Sequence, residues 1–120
     1  MDRTLLIVDD EENLLLLLDR ILSKEGYAVS TAPNNYQTLR LLENGRFQLA
    51  ILDIKMFPID GLALLAEIKN RCPTIPVIMV TAYPTPDSRN ESFRKGATSY
   101  LTKPLDIQQL KSVVRTLVPA

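Results

Sequence analysis

The chain has 120 residues, 46% hydrophobic and 23% charged. This is the composition of one folded domain with a buried core, not of a disordered or fibrous segment. Its 14 basic and 14 acidic residues cancel, and without a basic run they leave no footprint for direct nucleic-acid binding. One cysteine, Cys72, and no histidine exclude an internal disulfide, thiolate or imidazole zinc sites and histidine-based catalysis, so any chemistry falls to carboxylates, hydroxyls and lysines.

Thr4 to Val8 is an apolar run too short for a helix, and it reads as a buried first strand that stops at Asp9-Asp10-Glu11-Glu12. Leu14, Leu17, Leu18, Ile21 and Leu22 then follow helical spacing as a predicted core stripe, leaving Leu15 and Leu16 in surplus, until Gly26 ends the helix. The run from Leu14 to Leu18 ends in Asp19-Arg20, far short of a membrane span, and no signal segment precedes it. The chain is therefore expected in the cytoplasm, with no membrane partner.

Tyr27 to Thr31 is a second strand. Asn34-Asn35 caps a helix to about Asn44 with Leu39, Leu41 and Leu42 inside it. Gln48 to Leu52 is a third strand that delivers Asp53 at its carboxyl end. Asp60 caps a helix carrying Leu62, Leu65 and Ile68, which must end before Pro73; Pro76 to Val80 is a fourth strand and delivers Thr81. After a loop from Tyr83 to Pro86, a weak helical signal runs from Asp87 to Gly96. Ser99 to Thr102 is a short fifth strand leading into Lys103-Pro104, and Asp106 caps a last helix with Ile107, Leu110, Val113, Val114 and Leu117 on one face.

Five strands alternating with five helices, most strands without polar alternation, specify an α/β fold. The expected architecture is a doubly wound parallel sheet with helices on both faces. In such a sheet ligands bind beyond the carboxyl ends of the strands. Asp9-Asp10, Asp53, Thr81 and Lys103 stand at four of those ends. Carboxylates held close together repel, which raises a pKa or calls for a counter-cation, and with oxygen ligands alone the hard cation Mg²⁺ is the natural one. A strand-end carboxylate can act as a nucleophile toward phosphorus, with Mg²⁺ and Lys103 absorbing charge on the phosphoryl oxygens and Thr81 donating a hydrogen bond.

These residues resemble those of bacterial response-regulator receiver domains: Val8-Asp9-Asp10-Glu11, Leu52-Asp53-Ile54 with Met56 and Asp60-Gly61, Thr81-Ala82, and Gly96-Ala97 followed by Tyr100-Leu101-Thr102-Lys103-Pro104. The similarity spans residues about 4 to 117, so residues 1–120 read as one receiver domain. The resemblance implies a flavodoxin-like sheet in the order 2-1-3-4-5 and a protein of a two-component phosphorelay that catalyses only its own phosphorylation and dephosphorylation. It implies Asp53 as phosphoacceptor, taking a phosphoryl group from a phosphohistidine on a sensor histidine kinase or a histidine phosphotransfer protein. Asp10, Asp53 and the backbone carbonyl of Lys55 would hold Mg²⁺, with Asp9 assisting through water. Lys103 would pair with the phosphoryl group ahead of a cis Lys103-Pro104 bond, and Thr81 and Tyr100 would form the switch. The face made by the fourth helix, fifth strand and fifth helix would be open to homodimerisation.

Other readings compete. A flavodoxin-like cofactor binder needs a phosphate-cradling loop where this chain has four acids in a row, and an aspartyl phosphatase needs a second acid where Lys55 stands. A degenerate receiver that binds partners without phosphorylation is the third, and the intact set of acids, Thr81 and Lys103 argues against it. The chain departs from the family pattern at Phe57-Pro58, where the proline comes one residue later than usual, so the Phe57 ring either projects beside the acceptor or folds back onto the third helix as core.

Overall fold

A strand with apolar residues at every position can be satisfied only by burial on both faces, and the computed structural model places those strands at the centre of the sheet. It describes residues 3–56 and 60–119; the Phe57-Pro58 reading lies outside them. The strands are β1 (Thr4–Val8), β2 (Ala28–Ala32), β3 (Leu49–Asp53), β4 (Val77–Thr81) and β5 (Ser99–Thr102), and the helices are α1 (Glu12–Lys24), α2 (Asn35–Asn44), α3 (Gly61–Arg71), α4 (Pro86–Arg94) and α5 (Ile107–Leu117). All strand pairs are parallel and the order is β2-β1-β3-β4-β5, as the resemblance implies. β3 and β4 are buried throughout, whereas β2, at an edge, is mostly half-exposed.

Successive strand residues point to opposite faces, which divides the core in two. Leu5, Ile7 and Ile51 meet Leu15, Leu18 and Leu22 of α1 and Leu110 and Val114 of α5. On the other face Leu6, Leu52 and Met79 meet Leu64, Leu65 and Ile68 of α3, with Leu39, Leu41 and Leu42 of α2 at the margin. α4 packs on α3 and β5. Each fully buried leucine contributes roughly 1.5–3 kcal/mol relative to exposure.

The predicted stripe of α1 holds at Leu18 and Leu22, which are buried, and at Leu14, which packs beside them, but not at Leu17. Leu15 is core, while Leu17 is 47% exposed and Leu16 67% exposed. Five consecutive leucines satisfy more than one helical stripe, and the choice falls to the packing of Leu15, Leu18 and Leu22 beneath the sheet. The predicted α5 stripe is as observed, with Leu110 and Val114 buried and Ile107, Val113 and Leu117 packed beside them.

The caps explain how the chain turns at the carboxyl edge. Asp60 Oδ1 accepts from the Ala63 amide at 2.9 Å and Asp106 Oδ1 from the Gln109 amide at 3.1 Å, starting α3 and α5 beside the sheet edge. α4, weak in sequence, is started by Thr85 and Ser88, each side chain meeting the other's backbone N–H. Gly26 and Gly96, at φ of 95° and 105°, take the left-handed geometry that ends α1 and α4.

Candidate functional site

Parallel pairing aligns the carboxyl ends of β1, β3, β4 and β5, and their terminal residues gather in one place. Asp9 follows β1 and is 3% exposed; Asp53 ends β3 and is 4% exposed. Asp10 is exposed, yet one carboxylate oxygen from each of Asp9, Asp10 and Asp53 lies within 4.8 Å of the others. Lys103, just beyond β5, reaches into this cluster, with Nζ 2.9 Å from Asp9 Oδ2, 2.9 Å from Glu11 Oε1 and 3.4 Å from Asp53 Oδ2. The Lys103-Pro104 bond is cis. The site therefore unites Asp9, Asp10, Asp53 and Lys103.

Backbone groups fix the two buried acids. The Glu11 amide donates to Asp9 Oδ1 at 2.9 Å and the Lys55 amide to Asp53 Oδ1 at 3.2 Å, so each carboxylate keeps its second oxygen for Lys103. The Ile54 amide donates to the Val80 carbonyl at 2.9 Å, and the Gly61 amide to the Ile54 carbonyl at 2.7 Å, which draws α3 against the end of β3. A side chain at Gly61 would run into the Asp53 carbonyl and the Ile54 backbone, so only glycine permits this approach.

Burial sets the titration of the group. Removal from water pushes the Asp53 carboxyl up to about 6, and the neighbouring Asp9 charge adds to the rise against the opposing pull of Lys103. Asp9 is raised for the same first reason. Burial alone would depress Lys103, but its hydrogen bonds to Asp9 and Glu11 outweigh that and hold it cationic, well above the ordinary lysine range.

Thr81 and Tyr100 lie to one side. Thr81 is fully buried at the end of β4; its hydroxyl accepts from the Tyr83 amide at 3.0 Å, and its carbonyl from the Lys103 amide at 2.8 Å. The Tyr100 hydroxyl does not join the acids. It lies 2.6 Å from Ser88 Oγ in the first turn of α4. Sequence reasoning missed Ser88 and the pairing of Glu11 with Lys103, because a serine in a polar helix and an acid in an acidic run carry no signal of a specific partner. Glu11 makes no side-chain cap for α1, its carboxylate being taken by Lys103.

A buried pair of acids beside a fixed cation, at the carboxyl edge of a parallel sheet in the order 2-1-3-4-5, defines a phosphoacceptor class of α/β domain. The response regulator receiver domain family matches residues 5–115, and the chain belongs to that family. It is 35% identical over 119 residues to sporulation initiation phosphotransferase F of Bacillus subtilis, covering 99% of this chain and 96% of that protein. It is 39% identical over 107 residues to the transcriptional regulatory protein ZraR of Klebsiella oxytoca, covering 89% of this chain and 24% of the relative, so it spans about a quarter of that relative's length. The crystal structure of response regulator TrrA from Thermotoga maritima in complex with Mg²⁺-BeF matches with a TM-score of 0.86 at 36% identity, over 96% of this chain and 98% of that one. The chain is thus a receiver domain of two-component signalling, with an acidic cluster suited to a divalent cation. Among the described residues no helix is long and apolar enough to cross a membrane.

Proposed function

We propose that residues 1–120 act as one receiver domain in which Asp53 accepts a phosphoryl group from a phosphohistidine on a sensor histidine kinase or a histidine phosphotransfer protein. The observation that carries this is Lys103 Nζ, 3.4 Å from Asp53 Oδ2 in a cluster of three carboxylates. Asp53 is held by the Lys55 amide through Oδ1, leaving Oδ2 to attack. As the new phosphorus–oxygen bond forms, the phosphorus–nitrogen bond of the donor breaks and its electron pair returns to the imidazole. Lys103 then trades a carboxylate oxygen for a phosphoryl oxygen without leaving the cavity, which is the preorganisation this reaction needs.

The donor set fits Mg²⁺, since it offers oxygen atoms alone and holds more negative charge than Lys103 cancels. Asp10, Asp53 and the Lys55 carbonyl would hold it, with Asp9 assisting through water, and there it would neutralise charge on the phosphoryl oxygens. Thr81 gives up the Tyr83 amide to reach the phosphoryl group, and Tyr100 turns inward behind it, which together make the switch. The domain catalyses only its own phosphorylation and dephosphorylation, works in the cytoplasm, touches no nucleic acid directly, and offers α4, β5 and α5 as a homodimer face. Intact mass after incubation with a small acyl phosphate and Mg²⁺ tests the central claim: one phosphoryl adduct on the chain and none on Asp53→Asn supports it, while an adduct retained in the variant refutes it.

A further inference from the structure

Tyr100 and the start of α4 share one hydroxyl. Ser88 Oγ donates to the Thr85 carbonyl at 3.2 Å and accepts from the Thr85 amide at 3.4 Å. The same Ser88 Oγ lies 2.6 Å from the Tyr100 hydroxyl, a hydrogen bond in which either oxygen can be the donor. The same residue carries the helix onward: its amide donates to Thr85 Oγ1 at 3.0 Å, and its carbonyl accepts from the buried Ser92 hydroxyl at 2.8 Å. Arg89, the next residue, lies over the Tyr100 ring at 5.9 Å and the Phe93 ring at 5.1 Å.

We infer that Ser88 is the positioning residue that holds Tyr100 in its unphosphorylated arrangement and couples its rotation to the first turn of α4. This rests on the reading of Tyr100 as a switch under Proposed function. When Tyr100 turns inward it must break this bond, and Ser88 then loses the hydrogen-bond partner that links strand and helix. The motion of one side chain is thereby felt by the capping turn, with no contact needed between the acidic cluster and α4. The loss of one such bond shifts a two-state equilibrium by roughly two- to tenfold.

By linkage, an arrangement that is easier to leave binds a phosphoryl mimic more tightly by the same factor. The experiment uses the full chain with fluorotyrosine at position 100, Mg²⁺ and beryllofluoride. Ser88→Ala should tighten beryllofluoride binding by roughly two- to tenfold and move the fluorine signal of the unliganded protein toward its liganded position, whereas Ser88→Thr, which keeps a hydroxyl, should stay near wild type. Tyr100→Phe removes the bond from the other side, so in that background Ser88→Ala should bring no further tightening and keep only the cost of the lost Thr85 hydrogen bonds. Unchanged or weakened binding in Ser88→Ala, or additive effects in the double variant, overturns the inference. A wild-type fluorine signal that ignores beryllofluoride would instead sink the switch reading beneath it.

Discussion

The two halves of the carboxyl edge are built on opposite principles. Around β1 and β3 the polar groups are charged: Asp9 and Asp53 are buried and raised by desolvation, Asp10 and Glu11 are exposed, and the ammonium of Lys103 serves Asp9, Glu11 and Asp53 together. Around β4 and the start of α4 they are neutral hydroxyls, and Thr81, Ser88 and Tyr100 are each hydrogen-bonded to a neighbouring group. The acidic half stores unfavourable electrostatics, two buried carboxylates side by side, of the kind a counter-cation relieves. The hydroxyl half stores little and changes partners cheaply, which suits chemistry on one side and transmission on the other.

The largest expected effect separates function from stability in the acidic half. Asp53→Asn should abolish phosphoryl uptake and yet make the unliganded protein more stable at neutral pH. The sign follows from linkage: with Asp53 at about 6 in the folded state against 3.8 for an ordinary aspartate, the native chain binds the extra proton between those values. Wild-type stability therefore falls as pH rises through that window, and the whole penalty is present at pH 7. Urea unfolding should show the variant ahead by at most about 3 kcal/mol at pH 7, with the gap closing toward pH 4. A variant less stable than wild type at pH 7 would mean that Lys103 fully offsets the burial of the charge.

Next is the hinge between the acceptor strand and α3. Gly61→Ala drives a methyl group into the Asp53 carbonyl and the Ile54 backbone, neither of which can rotate away. It should cost about 1–3 kcal/mol and slow phosphorylation by displacing Asp53. Equilibrium unfolding with a phosphorylation time course checks both, and a stable variant that phosphorylates normally would show that α3 can retreat without moving the acceptor.

The acidic half was far more legible in sequence than the hydroxyl half, for a physical reason. Charged residues at the ends of apolar runs are costly unless paired, so Asp9, Asp53 and Lys103 announce a shared site. Topology then brings them together without further information. Ser88 and Tyr100 are residues any half-exposed position accepts, and their bond depends on a side-chain direction that no periodicity encodes. The one misplaced position of the α1 stripe has a related cause: leucines at 14 to 18 fit more than one phase, and only the packing under the sheet picks Leu15 over Leu17. Capping signals read well at Asp60 and Asp106 because one side chain suffices; at α4 the reciprocal pair of Thr85 and Ser88 hid behind Pro84 and Pro86.

The smallest expected effect tests whether the hydroxyl half is as cheap as described. Thr81→Val keeps the buried, β-branched shape at the end of β4 and removes only the hydroxyl. The Tyr83 amide that it releases belongs to an exposed residue and can turn to water, so the loss in stability should stay below about 1 kcal/mol. Phosphoryl uptake on Asp53 should persist, since Thr81 holds neither the nucleophile nor Lys103's ammonium. What should vanish is the response of a fluorine label on Tyr100 to Mg²⁺ and beryllofluoride, because the residue that carries the signal across from the phosphoryl group has lost its donor. If Thr81→Val instead shifts stability as much as Asp53→Asn does, the two halves share one electrostatic network and the division between them is wrong. If the label still responds in full, the signal reaches Tyr100 by a route other than β4.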